Sequence, residues 1–314
     1  MFPKKLKNDT GGLAKTALII IIVLVMVSAS TLVIVLYQGS QEETNKKNRA
    51  VSTGDTVRVD YIGKLSVGGV ERVFDTSMMD IANNASIPKS LTFTLKANTS
   101  YTPLSFTVGS GTLITGFNNA VVGMKVGETK TVEVSPAQGY GNLVLSKVNT
   151  FNLTETKNVY ESMSFSQFKA KYSVVAVAGM TILDPVYKWP VMILVANSDA
   201  DSVRIQNAPQ QGANYLIYSN STANAAGWNI TVTSVNTAIS EAGQIVLVHD
   251  ITVADTGMIR GVDEKGTAFI LENVDTNAGT AWRNANTQNT NNGVVLSELV
   301  GKTLTFTITL VAIV

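Results

Sequence analysis

The sequence predicts an α+β protein: a curved antiparallel sheet with one short helix, interrupted by a β-rich inserted domain and preceded by an N-terminal transmembrane helix. Three observations lead there. From Gly54 onward, short runs alternate apolar and polar residues, as Val57, Val59 and Tyr61 do in TVRVDYIGKL, the period of strands with one covered face. Before residue 142 only one helical pattern, LITGFNNAVVGM, stands among these runs. The closing stretch GKTLTFTITLVAIV returns to the same alternation, with Leu304, Phe306, Ile308 and Leu310 set between threonines, after a long Asn- and Thr-rich excursion over 143–293. A strand can rejoin an earlier sheet when the excursion is an inserted domain whose ends lie close together.

The elements follow in order. Residues 1–16 carry Lys4, Lys5, Lys7 and Lys15 ahead of the uncharged segment 17–37, ALIIIIVLVMVSASTLVIVLY. About 20 apolar residues cross a bilayer as a helix, and a signal-peptide core is shorter, about 7–15. The segment is therefore expected to be an uncleaved single-pass anchor in the cell membrane. The bases before it favour a cytoplasmic stub and an extracytoplasmic body, although Lys46, Lys47 and Arg49 beyond it blunt that bias. Residues 38–53 read as a polar linker.

In the first domain, residues 54–142 and 294–314, SVGGVERVFD is a hairpin turn and return strand around Gly68-Gly69. SLTFTL, within 78–102, reads as a short strand, and PLSFTVGSG is another, ended by Gly109 and Gly111. LITGFNNAVVGM gives about two helical turns closed by Gly123. Gly116 is expected to let the chain turn so that Phe117 points inward, and TKTVEVSP is the next strand. In the insert, 143–293, short strands alternate with Asn, Gly and Pro punctuation. One helix is expected at ESMSFSQFKAKY, capped by Ser164 with Phe165, Phe168 and Tyr172 on one face.

Composition narrows the function. Charged residues make up 15% of the chain and the net charge is +1, which suggests no nucleic-acid partner. With no cysteine and a single histidine, disulfides, thiolate nucleophiles and histidine metal clusters are excluded, and His249 in IVLVHDI reads as structural. Six N-x-S/T sequons, at Asn8, Asn84, Asn98, Asn152, Asn220 and Asn229, are close to what this Asn, Ser and Thr content yields by chance; they permit export without arguing for it.

In order along the chain, VRVDYIGKL, VFDTS, PLSFTVGSGTLITGFNNAVVGMKVGE, VSPAQGYG and GKTLTFTITLVAIV resemble the successive elements of the FK506-binding-protein (FKBP) class of peptidyl-prolyl cis-trans isomerases. The interruption after GYG, with GMTI, GTAFILENVD and LVGKTLTF, is similar to the SlyD-like and archaeal members, in which an insert-in-flap domain acts as a chaperone module. The resemblance implies an apolar pocket with catalytic residues Tyr61, Asp75, Phe117 and Tyr140, and a substrate-binding wall of Phe74, Leu104, Phe106, Leu113, Ile114 and Phe306. Phe117 would pack on the prolyl ring, the Ile114 N–H and Tyr140 hydroxyl would hold substrate carbonyls, and Asp75 would orient Tyr61 or touch the reacting amide.

Phe117 stands where familiar members carry Trp, Leu104 where they carry Phe, and the Asp75–Leu104 link is much longer. No cofactor or metal is implied. The partners implied are proline-containing unfolded or exported polypeptides; macrolide binding is left undecided. Two other readings stand beside this one. An isomerase-inactive holdase would need Trp189, Met192, Tyr215, Tyr218 and Trp228 in an open groove, and a surface or filament subunit would pack the N-terminal helix in a filament core.

Overall fold

The computed structural model describes residues 27–28, 30–37, 49–290 and 293–314. The stub 1–16, most of the apolar segment 17–37 and most of the linker lie outside them. Residues 30–37 are helical, and among the described residues no helix is long and apolar enough to cross a membrane.

The chain begins with strands β1 (Thr56–Val67) and β2 (Val70–Thr76), helix α1 (Met79–Asn83), strand β3 (Leu104–Thr107), helix α2 (Thr115–Ala120) and strand β4 (Thr129–Val134). The insert contains β5 (Val148–Asn152), β6 (Thr154–Lys157), β7 (Tyr160–Met163), helix α3 (Phe165–Tyr172), β8 (Thr181–Leu183), β9 (Pro190–Asn197) and β10 (Ser202–Asn207). It continues with β11 (Asn214–Ile217), β12 (Trp228–Asn236), β13 (Gln244–His249), β14 (Arg260–Val262), β15 (Ala268–Asp275) and β16 (Thr280–Asn284). A ribbon of β17 (Thr287–Thr290) and β18 (Gly293–Leu296) leads to β19 (Leu304–Ile313).

One sheet has the order β2-β1-β19-β4, with β3 also paired to β1. β19 therefore lies between the first and fourth strands, in antiparallel register with both: Gly63 faces Phe306 and Thr131 faces Thr307. Its alternation explains the position. Leu304, Phe306, Ile308 and Leu310 point into one core with Val57, Val59 and Leu65. Its threonines pair across the outer face, Thr309 with Thr129 at 2.8 Å and Thr307 with Thr131 at 3.1 Å. α2 covers the concave side, burying Phe117 and Ala120.

The insert has its own core. Three four-stranded sheets, β7-β10-β9-β8, β11-β12-β13-β6 and β14-β15-β16-β5, close around Phe168, Trp189, Ile205, Trp228, Ile230 and Leu271. α3 carries the full capping box: the Gln167 N–H donates to the Ser164 hydroxyl and the Ser164 N–H to the Gln167 side chain. Ser164 caps it and Phe168 and Tyr172 are buried, as its sequence pattern indicated.

Four expectations are corrected. SLTFTL is not a strand, because the N–H groups of Leu91 and Thr92 donate to the Glu298 carboxylate instead of to a neighbouring strand. A second short helix, α1, accompanies α2 in the first domain. Gly116 is not a turn residue. It lies within α2, and a Cβ there would stand 2.5 Å from Val134 Cγ1, so close packing of the helix on β4 is what requires glycine. The tryptophans line no groove: Trp189 donates to Asn207 Oδ1 and Trp228 to His249 Nδ1, and both indoles are core.

Candidate functional site

A cavity of about 220 Å³ opens at the concave side of the first sheet, lined by Tyr61, Phe74, Asp75, Leu104, Thr112, Leu113, Ile114, Phe117, Tyr140 and Phe306. Nine of the ten residues singled out in the sequence line it. Phe106 does not; it lies beneath the floor with its ring centroid 5.9 Å from that of Phe117. Thr112 was missed, since a lone threonine in a Gly-rich loop carries no signal of its own.

Each wall follows from local structure. Strand alternation puts Tyr61 and Gly63 of β1 and Phe306 of β19 on the covered face. A Cβ at Gly63 would lie 2.7 Å from Phe74 Cζ, so glycine is what lets the Phe74 ring cross the strand toward Phe306. The rings meet edge to face: Tyr61–Phe117 at 5.5 Å, Phe117–Phe306 at 5.1 Å, Phe306–Phe74 at 5.6 Å and Phe74–Tyr140 at 6.4 Å. Such pairs add about 0.5–1.5 kcal/mol each beyond area burial, so the floor is held in one shape.

The polar rim is sparse. The Tyr61 hydroxyl donates to Asp75 Oδ2 at 2.6 Å, while the Thr76 N–H and Lys96 Nζ donate to Asp75 Oδ1 at 2.9 and 2.8 Å. Asp75 therefore orients Tyr61. Burial, reinforced by the Asp75 charge, pushes the Tyr61 and Tyr140 phenols up from their ordinary value, so both are protonated donors at neutral pH. Ile114 sits at the N-cap of α2 with φ −56° and ψ 140°. Among the described residues, neither its N–H nor the Tyr140 hydroxyl has a hydrogen-bond acceptor, and both residues line the cavity. The site thus combines an aromatic floor with two unengaged donors. It has no nucleophile held by a base, and among the described residues no group of three or more metal-ligating side chains converges.

A larger cleft of about 640 Å³ lies in the insert. Two of its lining charges pair with each other, Lys157 with Glu155 at 2.8 Å, and Lys171 pairs with Asp184, outside the lining, at 3.3 Å. His249 is part of that framework: Trp228 Nε1–H donates to its Nδ1 at 2.9 Å, and its Nε2 lies 3.2 Å from Glu155 Oε1.

Residues 47–160 match the family model of the FKBP-type peptidyl-prolyl cis-trans isomerases. Over 91 residues the chain is 44% identical to a short-type peptidyl-prolyl cis-trans isomerase of Methanocaldococcus jannaschii, which covers 29% of this chain and 51% of that protein. Over 94 residues it is 34% identical to FK506-binding protein 2 of Aspergillus oryzae, covering 30% and 54%. Over 106 residues it is 31% identical to FK506-binding protein 3 of Debaryomyces hansenii, covering 34% and 19%. The chain thus spans about half or less of the length of these curated relatives. The matched residues take in the first domain up to β4 and the start of the insert.

Proposed function

We propose that the protein is a membrane-anchored peptidyl-prolyl cis-trans isomerase, of the SlyD-like group with an inserted domain, that assists the folding of exported or surface proteins. The observation that carries the isomerase reading is the aromatic-lined cavity with two donors, the Ile114 N–H and the Tyr140 hydroxyl, that the protein itself does not use. The anchoring rests on segment 17–37, whose described end, Leu32 to Tyr37, is helical and exposed.

Rotation about an X–Pro bond faces a barrier of ~18–20 kcal/mol, because the planar amide has partial double-bond character. A site that binds the twisted amide better than either planar form lowers that barrier without covalent chemistry. The twisted form has lost charge separation along C–N and suits an apolar enclosure. The prolyl ring packs on Phe117 between Phe74 and Phe306, while the Ile114 N–H and the Tyr140 hydroxyl fix flanking carbonyls. Asp75 holds Tyr61 at the wall.

The test is exchange NMR on an X–Pro tetrapeptide with the full-length chain in detergent micelles. Acceleration well above background is expected, and Ile114→Pro, which fits the observed φ and removes only that N–H from the backbone, is expected to weaken it. No acceleration by the folded wild-type protein would end this reading.

A second reading is favoured by one observation. Val175, Val177, Met180, Leu183, Met192 and Val195 are exposed on and around β8 and β9, at one edge of an insert sheet. An apolar sheet edge can hold an extended chain by strand addition, so the insert would grip unfolded clients there rather than at its tryptophans.

A further inference from the structure

One of the three donors on Asp75 comes from a stretch that the mechanism above leaves unused. Residues 77–103 leave β2, pass through α1 and return to the cavity at β3. Their middle is fastened twice. The Val73 N–H donates to the Pro88 carbonyl at 2.9 Å and the Ser90 N–H to the Val73 carbonyl at 3.0 Å, which lays this stretch along β2. Glu298, buried at 3% exposure, then gathers the Ser90 hydroxyl at 2.5 Å, the Leu91 N–H at 3.1 Å, the Thr92 N–H at 2.9 Å and the Thr92 hydroxyl.

A few residues on, the Lys96 N–H donates to the Tyr101 hydroxyl at 2.9 Å, fixing the backbone from which its side chain reaches Asp75. Both side chains of the pair are about equally exposed, 42% for Lys96 and 40% for Asp75, so the ammonium sits beside the pocket carboxylate at the solvent boundary. One of its three donors is taken by Asp75.

We propose that Lys96 is a specificity-determining residue: it offsets the charge of Asp75 and sets a cation at the pocket rim, so that segments with Asp or Glu beside the proline are turned over in preference to segments with Lys or Arg there. The inference rests on the isomerase reading. Without Lys96, Asp75 would present an unbalanced negative charge to the residue flanking the proline. With it, the pair is neutral and the ammonium can still donate outward. Because the pair is solvated, the preference is a few-fold and falls as salt rises. A purely structural role for Lys96 would change all peptide rates together; a specificity role changes their ratio.

The experiment measures kcat/KM for two peptide series, with Glu, Leu or Lys placed immediately before or immediately after the proline, using the full-length chain at low and high salt. In at least one series the wild-type protein is expected to favour Glu over Lys by about three-fold at low salt. Lys96→Ala is expected to bring that ratio to one or below, and Lys96→Glu to invert it, with circular dichroism showing the same fold. A wild-type ratio of one in both series, or an unchanged ratio in Lys96→Ala, overturns the proposal. If the wild-type protein accelerates none of the peptides, the isomerase reading falls, and this inference falls with it.

Discussion

Gly301 donates its N–H to the Gly141 carbonyl at 2.8 Å, closing the neck from which the insert hangs. Just beyond, the Val144 N–H donates to Asn286 Oδ1 at 2.9 Å, and Asn286 Nδ2 donates back to the Val144 carbonyl at 3.2 Å. The two chain crossings are thus tied side by side.

Replacing 143–293 with a short loop keeps the Gly141–Gly301 bond, Glu298 and β19. Tetrapeptide isomerisation should persist in that protein, while acceleration of a proline-limited refolding reaction should disappear. Equal loss in both assays would show that the sheet depends on the insert.

Phe117 is both floor and core, touching Tyr61, Phe106 and Phe306. Phe117→Ala should lower stability by about 3–5 kcal/mol as well as abolish turnover. Phe117→Leu retains most of the packing, so it should stay folded and still lose most of its activity. Wild-type rates in the folded leucine variant would remove Phe117 from the pocket's chemistry.

Tyr140→Phe keeps the ring against Phe74 and removes a hydroxyl that the protein leaves unengaged. Urea midpoints should be unchanged and kcat/KM should fall about five-fold, the value of one modest hydrogen bond. A stability loss with unaltered kinetics would make the hydroxyl structural.

Glu298→Gln removes the charge that gathers four donors from Ser90, Leu91 and Thr92. A loss of about 1.5–3 kcal/mol is expected, typical of hydrogen bonds to a buried charge. Amide exchange should rise first at residues 88–96. Exchange spread evenly over the sheet would mean that the contact is not local.

In the insert, burial alone would raise the Glu155 carboxyl, but hydrogen bonds from His249 and Lys157 outweigh it and lower the carboxyl to about 2. A depressed carboxyl stabilises the fold fully above its unfolded value and loses that contribution as pH falls toward the folded one. Wild type should therefore lose up to about 3 kcal/mol relative to Glu155→Gln between pH 5 and pH 2. Parallel urea-midpoint curves for the two proteins across that window would refute the coupling.

What could be read from the sequence is uneven for physical reasons. β1 and β19 were legible because a period of two, kept over many residues, states which face is covered. The pocket wall was legible through the order of short motifs. SLTFTL has a strand's alternation, yet its backbone is claimed by Glu298, more than two hundred residues downstream, which no local pattern shows. Phe106 alternates correctly but reaches only the underside of Phe117. Trp189 and Trp228 look alike in a groove or a core; only their hydrogen bonds to Asn207 and His249 separate the two. Lys96 was invisible because its partner is set by the path of an irregular stretch rather than by spacing.

The central place of β19 has a consequence for how the molecule comes into being. During synthesis β1, β2 and β4 emerge first, but the strand that joins β1 to β4, and brings Phe306 to the cavity, is made only after the whole insert. Until then the earlier strands have edges unpaired along the line that β19 will fill, and the insert, with its separate core, can fold ahead of them. The cavity is therefore the last part of the protein to be completed, and a chain ending before residue 304 would hold the insert's core without the Phe306 wall of the cavity.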